Sequence, residues 1–247
     1  MPRLFESFTL IPAIDLKGGQ VVRLLRGDMN QATVYGDDPA AIARGFEGAG
    51  ARMIHVVDLD GAVAGAPRNL DAVRRIRAVT RCAIDVSGGL RTIAAIEEVL
   101  AAGADRIALG SVAFLDQPLL LEACRRFPQR IFGSLDVRDG RLAIRGWVET
   151  TALEIGEAAA LFKRAGVAAI IYTDIARDGT TAGVDCDKHA QLARETAIPV
   201  IASGGIATLD DIRNLRARFD DGVAGAIAGR ALYEGRFTLA DGLAAAR

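Results

Sequence analysis

Residues 200–212 read VIASGGIATLDDI, and residues 84–96 repeat the pattern as IDVSGGLRTIAAI. In each copy an apolar run ends at a Ser-Gly-Gly turn, and a threonine follows three residues after the second glycine. Threonine is a favoured N-cap residue, and the residues after it have the apolar spacing of a helix. Each copy therefore predicts a strand, a tight turn and a helix, and the repeat indicates that this unit organises the fold.

The two glycine turns also predict anion sites. Glycines let backbone N–H groups approach an anion closely, and a helix N-terminus adds favourable partial charge. A single Gly-Gly turn is weak evidence, because many strand-to-helix turns use glycine for geometry alone. A matched pair favours a ligand with a phosphate at each end. We call the turns the first glycine turn (Ser87, Gly88 and Gly89) and the second glycine turn (Ser203, Gly204 and Gly205).

The composition is typical of a parallel α/β protein. Of 247 residues, 51% are hydrophobic and only 5% aromatic, which suits buried strands made of continuous apolar runs. The net charge of −1 and the absence of long charged blocks argue against a nucleic-acid or membrane partner. Three cysteines without CxxC spacing argue against disulfides. With no signal peptide and no apolar run of membrane-spanning length in the sequence, we expect a soluble, cytoplasmic monomer.

The alternation of strand and helix continues along the chain and predicts one (β/α)₈ barrel domain over 1–247. Eight such units in about 250 residues fit this barrel better than the alternative, a doubly wound open sheet, which would carry an early GxGxxG turn. Polar turns at 17–20 and 138–141 predict hairpins inserted after the first and fifth strands. The eight strands are predicted at 10–16, 53–59, 82–86, 106–109, 130–137, 168–173, 199–202 and 225–228.

Further matches predict two half-barrels, 1–125 and 126–247, related by a pseudo-twofold axis. The segment DLKGGQ at 15–20 matches DVRDGR at 136–141. The twofold places the two glycine turns on opposite sides of the face where the strands end. Short turns after the neighbouring strands complete each phosphate site: Gly110 and Ser111 on one side, Gly229 and Arg230 on the other.

Asp15 and Asp136 lie at the ends of opposed strands, between the predicted phosphate sites. Two carboxylates that face one substrate suggest general acid–base chemistry, with one ionised and the other protonated. Strand-end aspartates also cap loops, but a symmetric pair favours catalysis; a glycosidase pair fits a doubled phosphate site poorly. Asp178 is a third candidate. Only two histidines are present, so we predict no metal site and expect His55 to be a core or rim residue. Cations for the phosphates would come from Arg23, Arg91, Arg145 or Arg230.

Five blocks of the sequence resemble the ProFAR isomerase family of histidine biosynthesis, and the resemblance covers nearly the whole chain. It implies a duplicated (β/α)₈ barrel that needs no cofactor and catalyses an Amadori rearrangement, with Asp15 as base and Asp136 as acid; Asp178 remains a rival acid. We also expect Gly19, Trp147 and Thr180 at the substrate site. Ser87 departs from the glycine common in the family. The blocks are IPAIDLKGGQVVRLLRGD (11–28), SLDVRDGRLAIRGW (134–147), TDIARDGTTAG (173–183), IASGGI (201–206) and GAIAGRALYEGRFTL (225–239).

Three alternatives stay open at this point. The related cyclase of the same pathway would need a glutaminase partner and a path for ammonia. A non-catalytic phosphosugar-binding barrel would bind its ligand without turnover. An isomerase of dual specificity would also act on phosphoribosyl anthranilate and would need a mobile arginine, for which Arg23 and Arg145 are the candidates, to bind the carboxylate.

Overall fold

The computed structural model describes residues 5–25, 28–144, 147, 149–178, 180 and 183–247. Its strands are β1 (Thr9–Lys17), β2 (Gln20–Leu25), β3 (Asp28–Gly36), β4 (Met53–Asp58), β5 (Ala83–Ser87), β6 (Arg106–Leu109), β7 (Ile131–Arg138), β8 (Arg141–Ile144), β9 (Glu149–Thr150), β10 (Ala169–Asp174), β11 (Val200–Ser203) and β12 (Val223–Ala228).

Helices alternate with the barrel strands, as the sequence predicted. They are α1 (Pro39–Gly48), α2 (Leu59–Ala64), α3 (Leu70–Val79), α4 (Ile93–Ala101), α5 (Ser111–Leu115), α6 (Gln117–Arg126), α7 (Ile155–Ala165), α8 (Cys186–Thr196), α9 (Leu209–Arg216), α10 (Arg230–Tyr233) and α11 (Leu239–Ala245).

Eight parallel strands close into a barrel in the order β1-β4-β5-β6-β7-β10-β11-β12. The β7–β10 and β12–β1 pairings complete the circle, with Asp136 opposite Thr173 and Ile11 opposite Ile227. The strands are buried on both faces, and all six residues of β12 are buried. The predicted (β/α)₈ barrel is confirmed, and the open sheet is excluded. The half-barrel duplication stays a prediction.

Both predicted hairpins are present at the carboxyl end of the barrel. β2 runs antiparallel to β1, with Asp15 opposite Val22, and β8 runs antiparallel to β7, with Val137 opposite Leu142. β3 extends the first hairpin and was not predicted, because its sequence DMNQATVYG contains no continuous apolar run. β9 extends the second hairpin in the same way.

Local sequence signals explain where the long helices begin. Asp38 accepts a hydrogen bond from the Ala40 amide at the start of α1, and Pro39 takes the first helical position. Thr92 and Thr208 cap α4 and α9 as expected. The short helices α2, α5 and α10 were not predicted, since four to six residues are too few for helical periodicity to register.

Large apolar side chains fill the barrel interior on the side away from the carboxyl ends of the strands. Ile11, Phe132 and Ile201 belong to one buried cluster inside the sheet, whereas a second, larger cluster lies between sheet and helices. This packing fills the amino-terminal end of the barrel and leaves the carboxyl end available for a site. The three cysteines are free, as expected. Among the helices of the described chain, none has the length and apolar character to cross a membrane.

Candidate active site

A cavity of about 250 Å³ opens at the carboxyl ends of the barrel strands. It brings together the three candidate aspartates, the whole first glycine turn and Trp147, but of the second glycine turn only Ser203 lines it. The predicted site residues that line it are Asp15, Arg23, Ser87, Gly88, Gly89, Gly110, Ser111, Asp136, Trp147, Asp178 and Ser203.

Asp15 lies near the end of β1, where that strand also pairs with the first hairpin. Its Oδ1 is 2.8 Å from Nη1 of Arg23, and both side chains are almost buried. Burial raises the pKa of Asp15, while Arg23 and, less strongly, His55 act in the opposite direction. The guanidinium is therefore the main group that favours an ionised carboxylate at this position.

Asp136 lies at the corresponding place on β7, across the barrel. Its Oδ1 accepts a hydrogen bond from the Ser134 hydroxyl at 3.1 Å, and Trp147 and Thr173 also donate to it. Burial raises the pKa of Asp136 against these donors. No Lys or Arg of the described chain forms an ion pair with it, so its surroundings differ from those of Asp15.

Asp178 faces the cavity from the loop after β10. Its backbone amide donates to the Asp174 carbonyl at 2.9 Å, which fixes the loop close to the strand end. Burial acts against the charged form of Arg23, but Asp15 and then Asp178 raise the pKa of that guanidinium. Asp178 therefore lies on the Arg23 side of the cavity.

The first glycine turn packs on the last residue of β4 and on α2. Gly88 and Gly89 have φ of +105° and +73°, a region that favours glycine. A Cβ at Gly88 would overlap the Asp58 carbonyl, and one at Gly89 would overlap the Gly61 carbonyl. The glycines are thus required by protein packing, in addition to any role toward an anion.

The second glycine turn has the same construction. Gly204 and Gly205 have φ of +86° and +85°. A Cβ at Gly204 would lie 2.6 Å from the Asp174 carbonyl oxygen, and one at Gly205 would overlap the Gly183 carbonyl. In both turns, therefore, each glycine packs against a backbone carbonyl at the end of the neighbouring strand or in the residues that follow it.

Gly110 and Gly229 complete the two turns with nearly equal backbone angles. Their φ and ψ are −96° and −111°, and −118° and −98°. They precede α5 and α10, and no described side chain caps either helix start. The Arg23 guanidinium packs directly against Gly229, where a Cβ would overlap Nη2. A cation therefore lies beside the turn that the sequence assigned to the second phosphate.

The remaining candidates have protein partners or lie outside the cavity lining. The Gly19 amide donates to Oδ1 of Asn69 at 3.0 Å, and the Thr180 hydroxyl donates to the Arg177 carbonyl at 2.6 Å. Arg230 pairs with Glu234. Arg91 donates to the Ala62 carbonyl at 3.1 Å while lining the cavity. Arg145 falls outside the described residues.

Sequence reasoning missed Ser134 and Thr173 and treated His55 as a core or rim residue. Side chains alternate across a strand, so Ser134, two residues before Asp136, faces the same interior. The two-residue alternation of a strand would therefore have identified Ser134 from the sequence. Thr173 faces Asp136 through strand register, which one sequence does not reveal. His55 lines the cavity and contacts Asp85.

Comparison with known proteins gives a consistent result over nearly the whole chain. Residues 9–238 match the family described as histidine biosynthesis protein. Similar proteins occur in Rhodospirillum rubrum (52% identity over 235 residues, 95% of this chain and 98% of the relative), Rhizobium leguminosarum bv. trifolii (51% over 235 residues, 95% of each) and Brucella ovis (49% over 238 residues, 96% and 98%). All three are named 1-(5-phosphoribosyl)-5-((5-phosphoribosylamino)methylideneamino)imidazole-4-carboxamide isomerase.

Proposed function

Since the chain belongs to the histidine biosynthesis protein family, we propose that it is the isomerase that converts ProFAR, the compound in its relatives' name, into the ribulosyl isomer. The reaction is an Amadori rearrangement, in which an aminoaldose becomes an aminoketose. We assign Asp15 as the general base and Asp136 as the general acid.

The observation that carries this proposal is the pair of buried carboxylates in unlike surroundings across one cavity. Asp15 has the Arg23 guanidinium at 2.8 Å, whereas Asp136 has hydroxyl and indole donors. A neighbouring cation favours an ionised base, and burial without an ion pair favours a protonated acid. This difference supports the assignment of roles, and it makes Asp178, which shares Arg23 with Asp15, the weaker candidate for the acid.

In the first step, the carboxyl group of Asp136 donates its proton to the ribose ring oxygen. The bond between that oxygen and C1′ breaks, and its electron pair stays on the oxygen. The nitrogen lone pair forms a C1′=N double bond, so the opened sugar is an iminium ion. Acid catalysis of this kind contributes about 10²–10⁴-fold to the rate.

In the second step, the Asp15 carboxylate removes the proton from C2′. The released electron pair forms a C1′=C2′ bond and neutralises the nitrogen, which gives an enolamine. Asp15 then gives its proton to C1′, and the C2′ hydroxyl releases its proton to the Asp136 carboxylate as it becomes a ketone. Substrate and product have the same atoms and the same oxidation level overall, so the cycle closes when both aspartates regain their protonation states.

The two glycine turns suit the two ends of this substrate. The relatives' name contains two phosphoribosyl groups, and the turns follow β5 and β11, on different sides of the cavity. Anchoring both ends would hold the reacting ribose between Asp15 and Asp136. Such positioning supplies a large part of the rate enhancement of many enzymes.

The test is to incubate the purified protein with ProFAR and to follow absorbance together with the mass of the product. We expect a new species of unchanged mass, formed without added ammonia. Turnover that requires ammonia would favour the cyclase, and saturable binding without turnover would favour a binding protein. Phosphoribosyl anthranilate is the second substrate to test. A kcat/KM within about a hundredfold of the ProFAR value, roughly 2.7 kcal/mol of discrimination, would establish dual specificity.

A further inference from the structure

We propose that His55, held by Asp85, is a positioning residue whose positive charge beneath the cavity keeps Asp15 ionised and helps Asp136 to release its proton. The inference rests on the proposed function for its consequence in catalysis. Its electrostatic part concerns only this chain's own groups and can be measured without turnover.

The first observation is the His55–Asp85 contact inside the barrel. Nδ1 of His55 lies 2.6 Å from Oδ2 of Asp85, and the carboxyl side chain is 1% exposed. A buried carboxylate is costly unless a positive group compensates it. Within the described chain, the imidazole is the only side chain that contacts this carboxyl group by a hydrogen bond, and Oδ1 has no partner.

Arg106, the nearest alternative cation in the strand register, is engaged elsewhere. It is opposite Asp85 in the β5–β6 pairing. Its guanidinium lies over the Phe132 ring, 5.8 Å from the centroid. No described hydrogen bond or ion pair joins it to Asp85. The charge balance of the buried carboxylate therefore falls to His55.

The second observation is the place of the His55 ring relative to the two catalytic aspartates. His55 lines the cavity, and in the β1–β4 register it is opposite Ala13, two residues before Asp15. The alternation of strand side chains places it one layer below Asp15. The charged and titratable groups around it are Asp85 on β5, Asp15 on β1 and Asp136 on β7, with Arg23 beyond Asp15 and Arg106 beside Asp85.

The direction of the effect follows from this placement. A positive charge favours the ionised form of a nearby carboxyl group, and His55 acts to lower the pKa of both Asp15 and Asp136. Burial raises the pKa of both carboxyl groups, and its effect is larger than that of His55. Removing the charge while keeping the hydrogen bond should therefore raise the pKa of both carboxyl groups further.

The experiment compares the wild type with His55→Asn and His189→Asn. The Asn amide can still donate to Asp85 but carries no charge. His189 is the matched control: it is a buried histidine with its own Nδ1 contact, 2.7 Å from the Asp185 carbonyl oxygen, but it is not among the described residues that line the cavity. Aspartate labelled at the carboxyl carbon gives NMR titrations, with Asp15→Asn and Asp136→Asn to assign the two signals.

We expect the Asp15 and Asp136 signals to titrate at higher pH in His55→Asn and to stay unchanged in His189→Asn. Should His55→Asn fail to fold, the double variant His55→Asn with Asp85→Asn replaces the charged pair by two amides and avoids an uncompensated buried charge. An upward shift is expected there too, but a smaller one, because the negative charge of Asp85 is removed together with the positive charge of His55. Unchanged titrations in the variant that folds would overturn the proposal.

Kinetics give the second readout. With ProFAR as substrate, the acidic limb of kcat/KM should move to higher pH in His55→Asn. The value at neutral pH should fall about tenfold, less than the loss of an acid or base would cause. KM should change little, since neither glycine turn is altered. A wild type without turnover would refute the proposed function, whereas an unshifted NMR titration would refute the role of His55 alone.

Discussion

Oδ1 of Asp15 and Nη1 of Arg23 lie 2.8 Å apart, and their side chains are only 12% and 10% exposed. The matching carboxyl group on the opposite strand, Asp136, has no such cation among the described residues. Asp15 therefore faces a guanidinium, whereas the described hydrogen-bond donors to Asp136 are neutral. This asymmetry separates two residues that look equivalent in sequence.

Asp15→Asn and Asp136→Asn should each lower kcat by about 10²–10⁴-fold, because each removes one of the two groups proposed to transfer protons. KM should stay within a few-fold, since both glycine turns, the proposed phosphate sites, are intact. Steady-state kinetics with ProFAR, together with circular dichroism, measure both effects. Asp210→Asn is the matched control, as Asp210 is an exposed aspartate on α9. Full activity in either cavity variant would remove that aspartate from the mechanism.

The two variants should also differ in stability. Burial raises the pKa of Asp136 above the ordinary value of 3.8. Below pH 3.8 the carboxyl group is protonated in both folded and unfolded chains, so Asp136→Asn changes little there. As pH rises through the folded-state pKa, the wild type loses the stability of the neutral form. Asp136→Asn should therefore raise Tm at pH 7 and not at pH 3.5.

Asp15→Asn should raise Tm less than Asp136→Asn at pH 7. It relieves the same kind of burial, but it also takes the ion-pair partner from Arg23. Thermal unfolding of both variants over a pH series measures the difference. An equal gain for the two would mean that the Arg23 contact contributes nothing to stability.

Gly88→Ala and Gly204→Ala should lower the free energy of unfolding by about 2–4 kcal/mol each. In both, a Cβ would press on the backbone carbonyl of the last residue of a neighbouring strand, Asp58 or Asp174, which cannot turn away like a flexible side chain. Gly140→Ala is the control, since Gly140 has φ +75° and nothing within 4 Å of an added Cβ. This control substitution should lower the free energy of unfolding by about 1 kcal/mol, through the backbone conformation alone. Similar losses at all three positions would show that the carbonyl contacts are unimportant.

Trp147, the single tryptophan, should report ligand binding. It lines the cavity and donates a hydrogen bond to Asp136. Its fluorescence should change when ProFAR is added to Asp15→Asn, in which we expect binding with greatly slowed turnover. The concentration dependence gives Kd. An unchanged emission spectrum at saturating ProFAR would place the substrate away from this side chain.

The sequence allowed the barrel to be predicted because its signals are local and repeated. Apolar runs, caps such as Thr92 and Thr208, and glycine turns each depend on a few neighbouring residues. β3 was missed since its strand pairing with β2 compensates for a polar sequence. The helix α10 was missed because four residues are too few to show the periodic spacing of apolar residues that indicates a helix.

The candidate site was predictable only in part. Strand-end positions identified Asp15 and Asp136, and the repeat identified both glycine turns. The contacts of each aspartate depend on strand register and on the side-chain conformations inside the barrel. Arg23 was expected at a phosphate, but its ion pair with Asp15 requires the β1–β2 hairpin to fold back over the barrel. His55 was set aside because its partner, Asp85, lies on a neighbouring strand.

The carbonyl contacts at Gly88 and Gly204 also bear on how such a barrel can be redesigned. Loops at the carboxyl end of a barrel are commonly treated as modules that can be exchanged one at a time. Here the carbonyls of Asp58 and Asp174 occupy the space that a side chain in the next loop would need. A graft that replaces the end of β4 or β10 together with the loop after it must therefore include its glycine-bearing neighbour. The natural units of exchange on this face are pairs of adjacent loops.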